Sequence, residues 1–163
     1  MRPRQVVIVS VNRSPELIAC LFVVFQCKAS YVAIDILYPN SRLNLTIADS
    51  NATFYFALKS EKNFTGKVNS LVIDEILDAI TNISTEFLKV NIPTYSAAYI
   101  IYTFGSTGIS KGVQIALCNV INLIYAIAVD PEISARDKIS VITTISFDAI
   151  VMEVFLPLLQ RYP

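Results

Sequence analysis

The sequence predicts an α/β protein with a mostly parallel sheet and flanking helices. Two observations carry that expectation. Short β-branched or aromatic runs alternate with helical stretches along the chain, as in βαβ units. The first run, VVIVSV at residues 6–11, is almost continuously apolar, as in a strand buried on both faces.

The elements follow in order. Asn12 to Pro15 reads as a turn, with Ser14 as N-cap and Pro15 at the first helical position. The helix runs to about Cys27 and is apolar nearly all round, so it is expected to be buried. Tyr31–Ile34 is a second short strand that ends at Asp35. Tyr38 to Ser41 is a turn and helix start, and residues 43–50 form a helix with Leu43, Ile47 and Ala48 on one face. Residues 53–58 are a strand, 59–67 a polar loop, 70–74 a strand and 76–92 an irregular connection. Residues 99–102 are a strand leading into a glycine-rich loop, and Gly112–Ala116 continues as a strand. A helix over 119–129 follows, with Val120, Ile124 and Ile127 on one face and Leu123 beside them. Residues 138–143 read as the next strand. In residues 145–159, Ile150, Val151, Val154, Phe155, Leu158 and Leu159 recur at helical spacing.

Composition excludes several classes. The 163 residues make one domain's worth of chain, with 13 basic residues balanced by 13 acidic ones. The basic residues are scattered, so no footprint for nucleic acid is present. A mean hydropathy of +0.56 raises the membrane question. Residues 17–27 are too short to span a bilayer. Residues 112–129 carry Gln114, Asn119 and Asn122, which fit a buried helix better than a lipid-facing one. No membrane partner is expected. Cys20, Cys27 and Cys118 are odd in number and form no C-x-x-C, so they read as buried thiols in a reducing, cytoplasmic setting. The sequence has no histidine, which removes Ser-His-Asp and Cys-His catalysis and histidine zinc sites.

The stretch AYIIYTFGSTGISKGV, residues 98–113, holds three of the four glycines. Gly105 and Gly108 allow positive φ and a nest of N–H groups for an anion. Thr103, Ser106, Thr107 and Ser110 supply hydroxyls, and Lys111 a charge that reaches phosphate oxygens. The spacing matches neither the Walker A nor the dinucleotide pattern. Composition alone also allows a plain Gly/Ser/Thr connection between two strands.

The stretch closely resembles the phosphate-loop motif Y-T-S-G-S-T-G-x-P-K-G-V of adenylate-forming enzymes, in the flavour of the amino-acid adenylation domains of nonribosomal peptide synthetases. Phe104 stands where that family has a small residue, and is expected to impair phosphate binding; Ser110 stands in place of proline. Residues 16–43 are similar without a gap to a second family stretch, matching at Tyr31, Val32, Ile34, Asp35, Tyr38, Pro39, Arg42 and Leu43. There Lys28 replaces a glycine and Ala33 a proline. The upstream Arg13, Ser14 and Glu16 match as well. Leu117 and Cys118 replace a histidine and a basic residue. The last resemblance is to F-D-x-S-x-x-E-x-F, matched at Phe147, Asp148, Glu153 and Phe155, with Ile150 in place of serine.

The resemblance implies that residues 1–163 are a partial AMP-binding domain, the N-terminal portion of the adenylate-forming fold. It implies a fragment of an ATP-dependent amino-acid (carboxylate) adenylating ligase, using ATP with magnesium. Loop 103–112 would bind phosphate through Thr103, Gly105, Ser106, Thr107, Gly108 and Lys111. Asp148 would bind the substrate's α-ammonium group, with Ala149 and Met152 lining the side-chain pocket. Read from the residues alone, Asp148 is a helix cap. Expected partners are an amino acid or other small carboxylate, the remainder of the domain and a carrier domain. The family's adenine and ribose sites, acidic magnesium residue and catalytic lysine have no counterpart here, so the chain is expected to be inactive alone and no catalytic residue is assigned. The alternative is a non-catalytic α/β module that binds a nucleotide or a partner chain.

Overall fold

The computed structural model describes residues 1, 3–61, 68–80, 90–104, 110–129 and 138–159. Its strands are β1 (Val6–Ser10), β2 (Ser30–Ala33), β3 (Phe54–Ala57), β4 (Asn69–Val72), β5 (Ala97–Phe104) and β6 (Ser110–Ala116). The helices are α1 (Pro15–Gln26), α2 (Asn40–Ser50), α3 (Ile73–Ala79), α4 (Leu117–Val129) and α5 (Ala149–Leu159). The strands form one sheet in the order β4-β3-β1-β2-β5-β6. Every neighbouring pair is parallel except β5 and β6. The expected α/β architecture is therefore present.

β1 lies at the centre, between β2 and β3, and its residues alternate between two cores. Val7, Val9 and Val11 join Leu17, Cys20, Leu21 and Val24 of α1 together with residues of α4 and α5. Ile8 faces the other way, onto Tyr55 and onto Leu43 and Ile47 of α2. Val7, Ile8 and Val9 are fully buried, and each contributes about 1.5–3 kcal/mol through removal from water.

Local chemistry sets the helix ends. The Ser14 hydroxyl accepts the Leu17 N–H at 3.4 Å, and Pro15 occupies the first turn. At the other end of α1, Lys28 takes a left-handed conformation with φ 55°. Its N–H donates to Phe25 O at 2.8 Å and the Ala29 N–H donates to Val24 O at 3.0 Å, a Schellman cap. Lysine thus occupies the position where the resemblance has glycine. α2 ends on Asn51, also left-handed.

Several expectations are corrected. α1 is not buried all round, since Phe22 and Val23 are exposed. On α2 the inward face is Leu43, Thr46, Ile47 and Ser50, and Ala48 is exposed. β4 ends at Val72 rather than at residue 74, and residues 73–79 are helix where the end of that strand and the start of an irregular connection over 76–92 were expected, with Asp74 and Glu75 favourably placed in the first turn. α4 begins at Leu117 because the N–H groups of Leu117 and Cys118 donate to Ser96 O and Thr94 O at 2.9 and 2.8 Å. On α5, Leu156 is buried, whereas Leu158 and Leu159 are exposed. Residues 138–143 form no strand. There the N–H groups of Ile142 and Thr143 donate to the Glu153 carboxylate at 3.0 Å each, and Arg13 donates to the Ile142 carbonyl. Side chains have taken the groups a sheet ladder would use.

Candidate functional site

In open α/β sheets, ligands sit beyond the carboxyl ends of the strands. At that end a cavity of about 320 Å³ is lined by Tyr38, Arg42, Ile101, Tyr102, Thr103, Ser146, Phe147 and Asp148. Three parts of the chain meet there: the turn into α2, the end of β5 and the turn before α5.

β5 and β6 deliver the flanks of the glycine-rich loop. Thr103 pairs with Lys111 and Phe104 with Ser110 in an antiparallel register. The Ser110 hydroxyl donates to the Thr103 carbonyl at 3.1 Å and closes the base of the hairpin. Thr103 and Lys111, a hydroxyl and an ammonium group, are thus neighbours, both exposed. Gly105, Ser106, Thr107 and Gly108 lie outside the described residues, as does the side chain of Phe104.

Tyr102 is fixed more firmly. Its hydroxyl donates to the Asp49 carboxylate of α2 at 2.6 Å. Burial pushes this phenol's pKa well up, and Asp49 adds to the shift as hydrogen-bond acceptor and as charge. The cross-strand partner of Tyr102 is Gly112. A Cβ there would meet Tyr102 Cζ at 3.0 Å and Ile100 Cγ2 at 3.1 Å, so glycine lets the ring lie close to the strand.

Asp148 immediately precedes α5, and its carbonyl accepts the Val151 N–H at 3.0 Å. The residue is exposed and lines the cavity. Burial raises the pKa of the Tyr99 phenol, and the negative charge of Asp148 raises it further, so the two groups share an electrostatic neighbourhood. Ala149 and Met152 are half-buried on α5 and are not among the cavity's lining residues. The cavity therefore brings Thr103 and Asp148 together, with Lys111 beside Thr103. Also lining the cavity are Arg42 and Tyr38, with the Arg42 guanidinium 3.7 Å from the centre of the Tyr38 ring.

Sequence reasoning gave no role at the site to Asp35, Arg13, Asp49 or Glu153. Asp35 lies two residues beyond the end of β2, and its N–H donates to the Ser146 hydroxyl at 2.9 Å. Its carboxylate accepts the Leu37 N–H at 2.9 Å and the Thr144 hydroxyl at 2.5 Å. A carboxylate at the carboxyl end of a parallel strand was the signal available for it.

A family model described as "AMP-binding enzyme" matches residues 1–161. The chain is 32% identical over 159 residues to a component of the linear gramicidin synthase of Brevibacillus parabrevis, covering 98% of this chain and 2% of that protein. It is 27% identical over 165 residues to a dimodular nonribosomal peptide synthase of Bacillus subtilis (strain 168), covering 97% of this chain and 7% of that protein. It superposes with a TM-score of 0.85 on the nonribosomal peptide synthetase FmoA3 in an AMPPNP-bound form, at 24% identity, covering 97% of this chain and 17% of that one. With the Klebsiella oxytoca NpsA N-terminal subdomain, in complex with 3-hydroxyanthranilyl-AMSN, the TM-score is 0.83 at 23% identity, covering 98% and 40% of the two chains. The chain thus spans a small part of the length of these curated relatives, and the solved structures speak for the fold alone.

Proposed function

Because the chain belongs to the AMP-binding enzyme family and resembles the N-terminal part of nonribosomal peptide synthetase adenylation domains, we propose that it supplies two walls of a carboxylate-adenylating site. One wall is the phosphate loop 103–112, with Thr103, Gly105, Ser106, Thr107, Gly108 and Lys111 holding the phosphates of ATP. The other is the turn before α5, where Asp148 pairs with the α-ammonium group of an amino acid. Ala149 and Met152 border the substrate side chain. The observation that carries this reading is the single cavity shared by Thr103 and Asp148.

The residues suit the group. Thr103 and Lys111, in register on adjacent strands, offer a hydroxyl donor and a cation to an anion. Bound ATP supplies an α-phosphate for the substrate carboxylate to attack and pyrophosphate as leaving group. Among the described residues no cluster of three metal-ligating side chains occurs; magnesium would enter with the ATP phosphates. Asp148 orients the substrate, and Lys111 neutralises phosphate charge; neither forms a covalent bond. Catalysis of this kind depends on several walls acting together. The chain alone is accordingly inactive, and the remainder of an adenylation domain and a carrier domain are its natural partners.

Calorimetric titration with ATP and with a panel of amino acids tests the assignment. Lys111→Ala is expected to weaken ATP by about tenfold, ~1.4 kcal/mol, and to leave amino-acid binding unchanged. Asp148→Asn is expected to do the reverse. ATP–pyrophosphate exchange by the chain stays at background. Loss of neither ligand in its variant, or exchange above background, overturns the reading.

A further inference from the structure

Residues 142–153 close on themselves and are tied to the rest of the molecule at separate points. Glu153 reaches back from α5, and its carboxylate accepts the N–H groups of Ile142 and Thr143 at 3.0 Å each and the Thr143 hydroxyl at 2.5 Å. Arg13, just before α1, donates to the Ile142 carbonyl. Asp35, two residues beyond β2, binds the middle of the loop, its carboxylate accepting the Thr144 hydroxyl and its backbone N–H donating to the Ser146 hydroxyl. Asp148 stands inside this ring, on a turn whose own bonds run from Phe147 N–H to Thr144 O at 3.0 Å and from Val151 N–H to Asp148 O at 3.0 Å.

We propose that Asp35 is a positioning residue for Asp148. Through Thr144 and Ser146 it fixes the turn against the end of β2, so the Asp148 carboxylate is held at the cavity before a ligand arrives. The ordering is then not charged against binding. This inference rests on reading Asp148 as the partner of an ammonium group. The part Asp35 plays is geometric. It needs an acceptor for the Leu37 N–H and a partner for the Thr144 hydroxyl, and an asparagine amide supplies both, accepting with its oxygen and donating with its nitrogen.

Native-state amide exchange on the full chain, read by NMR, tests this without a ligand. In Asp35→Ala the amides of Phe147, Ile150 and Val151 are expected to exchange about fivefold faster or more, the effect of losing one hydrogen bond on a local opening. Amides of β1 and β3 keep their rates, and Asp35→Asn restores the turn. Unchanged rates in Asp35→Ala, uniform acceleration in every element, or an Asn variant as fast as the Ala variant would each overturn the proposal. A second arm compares a non-hydrolysable aminoacyl-adenylate analogue with its des-amino counterpart. The unaltered chain is expected to prefer the ammonium-bearing ligand by about tenfold, and Asp35→Ala to lose that preference while binding AMP as before. A preference that survives in Asp35→Ala overturns the positioning role. An unaltered chain without the preference contradicts the reading of Asp148 instead, and the exchange rates then decide the positioning role by themselves.

Discussion

At residue scale, Lys28 has the clearest consequence for stability. It holds φ 55° to close the Schellman cap of α1, a conformation that costs an L-residue roughly 1–2 kcal/mol and glycine almost nothing. Glycine in turn loses more freedom on folding, so Lys28→Gly is expected to stabilise the chain by about 0.5–1 kcal/mol net. Urea denaturation reads this as a higher midpoint at unchanged slope. A lower midpoint would mean the lysine side chain contributes more than its backbone costs. The left-handed position was legible only through the resemblance, as lysine in a glycine's place. The bond from Tyr102 to Asp49 was not legible, because its partners lie on different elements and no local pattern joins them. Asp148 was legible as a residue, from its place before an apolar helical run, and its neighbours in the cavity were not.

At the scale of elements, the segment 138–143 is the instructive case. Ile139, Val141 and Ile142 carry the apolar, β-branched character of a strand, yet the backbone there bonds to Glu153 and Arg13. Composition reports which residues suit a pleated surface; it does not report which groups their N–H atoms meet. The start of α4 escaped detection for the same reason, its first N–H groups being satisfied by Thr94 and Ser96 rather than by a capping side chain. The Glu153 link has a pH signature. Burial pushes its carboxyl up, but the Thr143 hydroxyl, the Thr143 and Ile142 N–H groups and the Arg13 charge outweigh that and bring the pKa below 4.5. A carboxyl lowered by folding stabilises the native state above its unfolded pKa, and that contribution is lost as pH falls through the folded value. Glu153→Gln is therefore expected to cost ~1 kcal/mol at pH 7, a modest figure for a solvent-screened site. The difference from the unaltered chain should shrink as denaturation is repeated below about pH 4.5. A gap that stays constant down to the acid limit would remove the charged carboxylate from the account.

At the scale of the whole molecule, the parallel core was legible because β1 carries a β-branched residue toward each face, which only a sheet covered by helices on both sides can bury. The antiparallel edge follows from length, since residues 105–109 are too few for a crossover and permit only a hairpin between β5 and β6. What the sequence could not supply is the convergence of that hairpin with the turn before α5, which depends on the strand order bringing β2 and β5 side by side. Among the described residues no helix is long and apolar enough to cross a membrane. We propose that loop 103–112 and Asp148 serve one ligand at one cavity. Calorimetry on the full chain tests it by comparing a non-hydrolysable aminoacyl-adenylate analogue with AMP and with the free amino acid. The linked ligand is expected to bind at least about tenfold more tightly than either piece, because the second contact becomes intramolecular; a linked ligand no tighter than AMP alone would contradict a shared site.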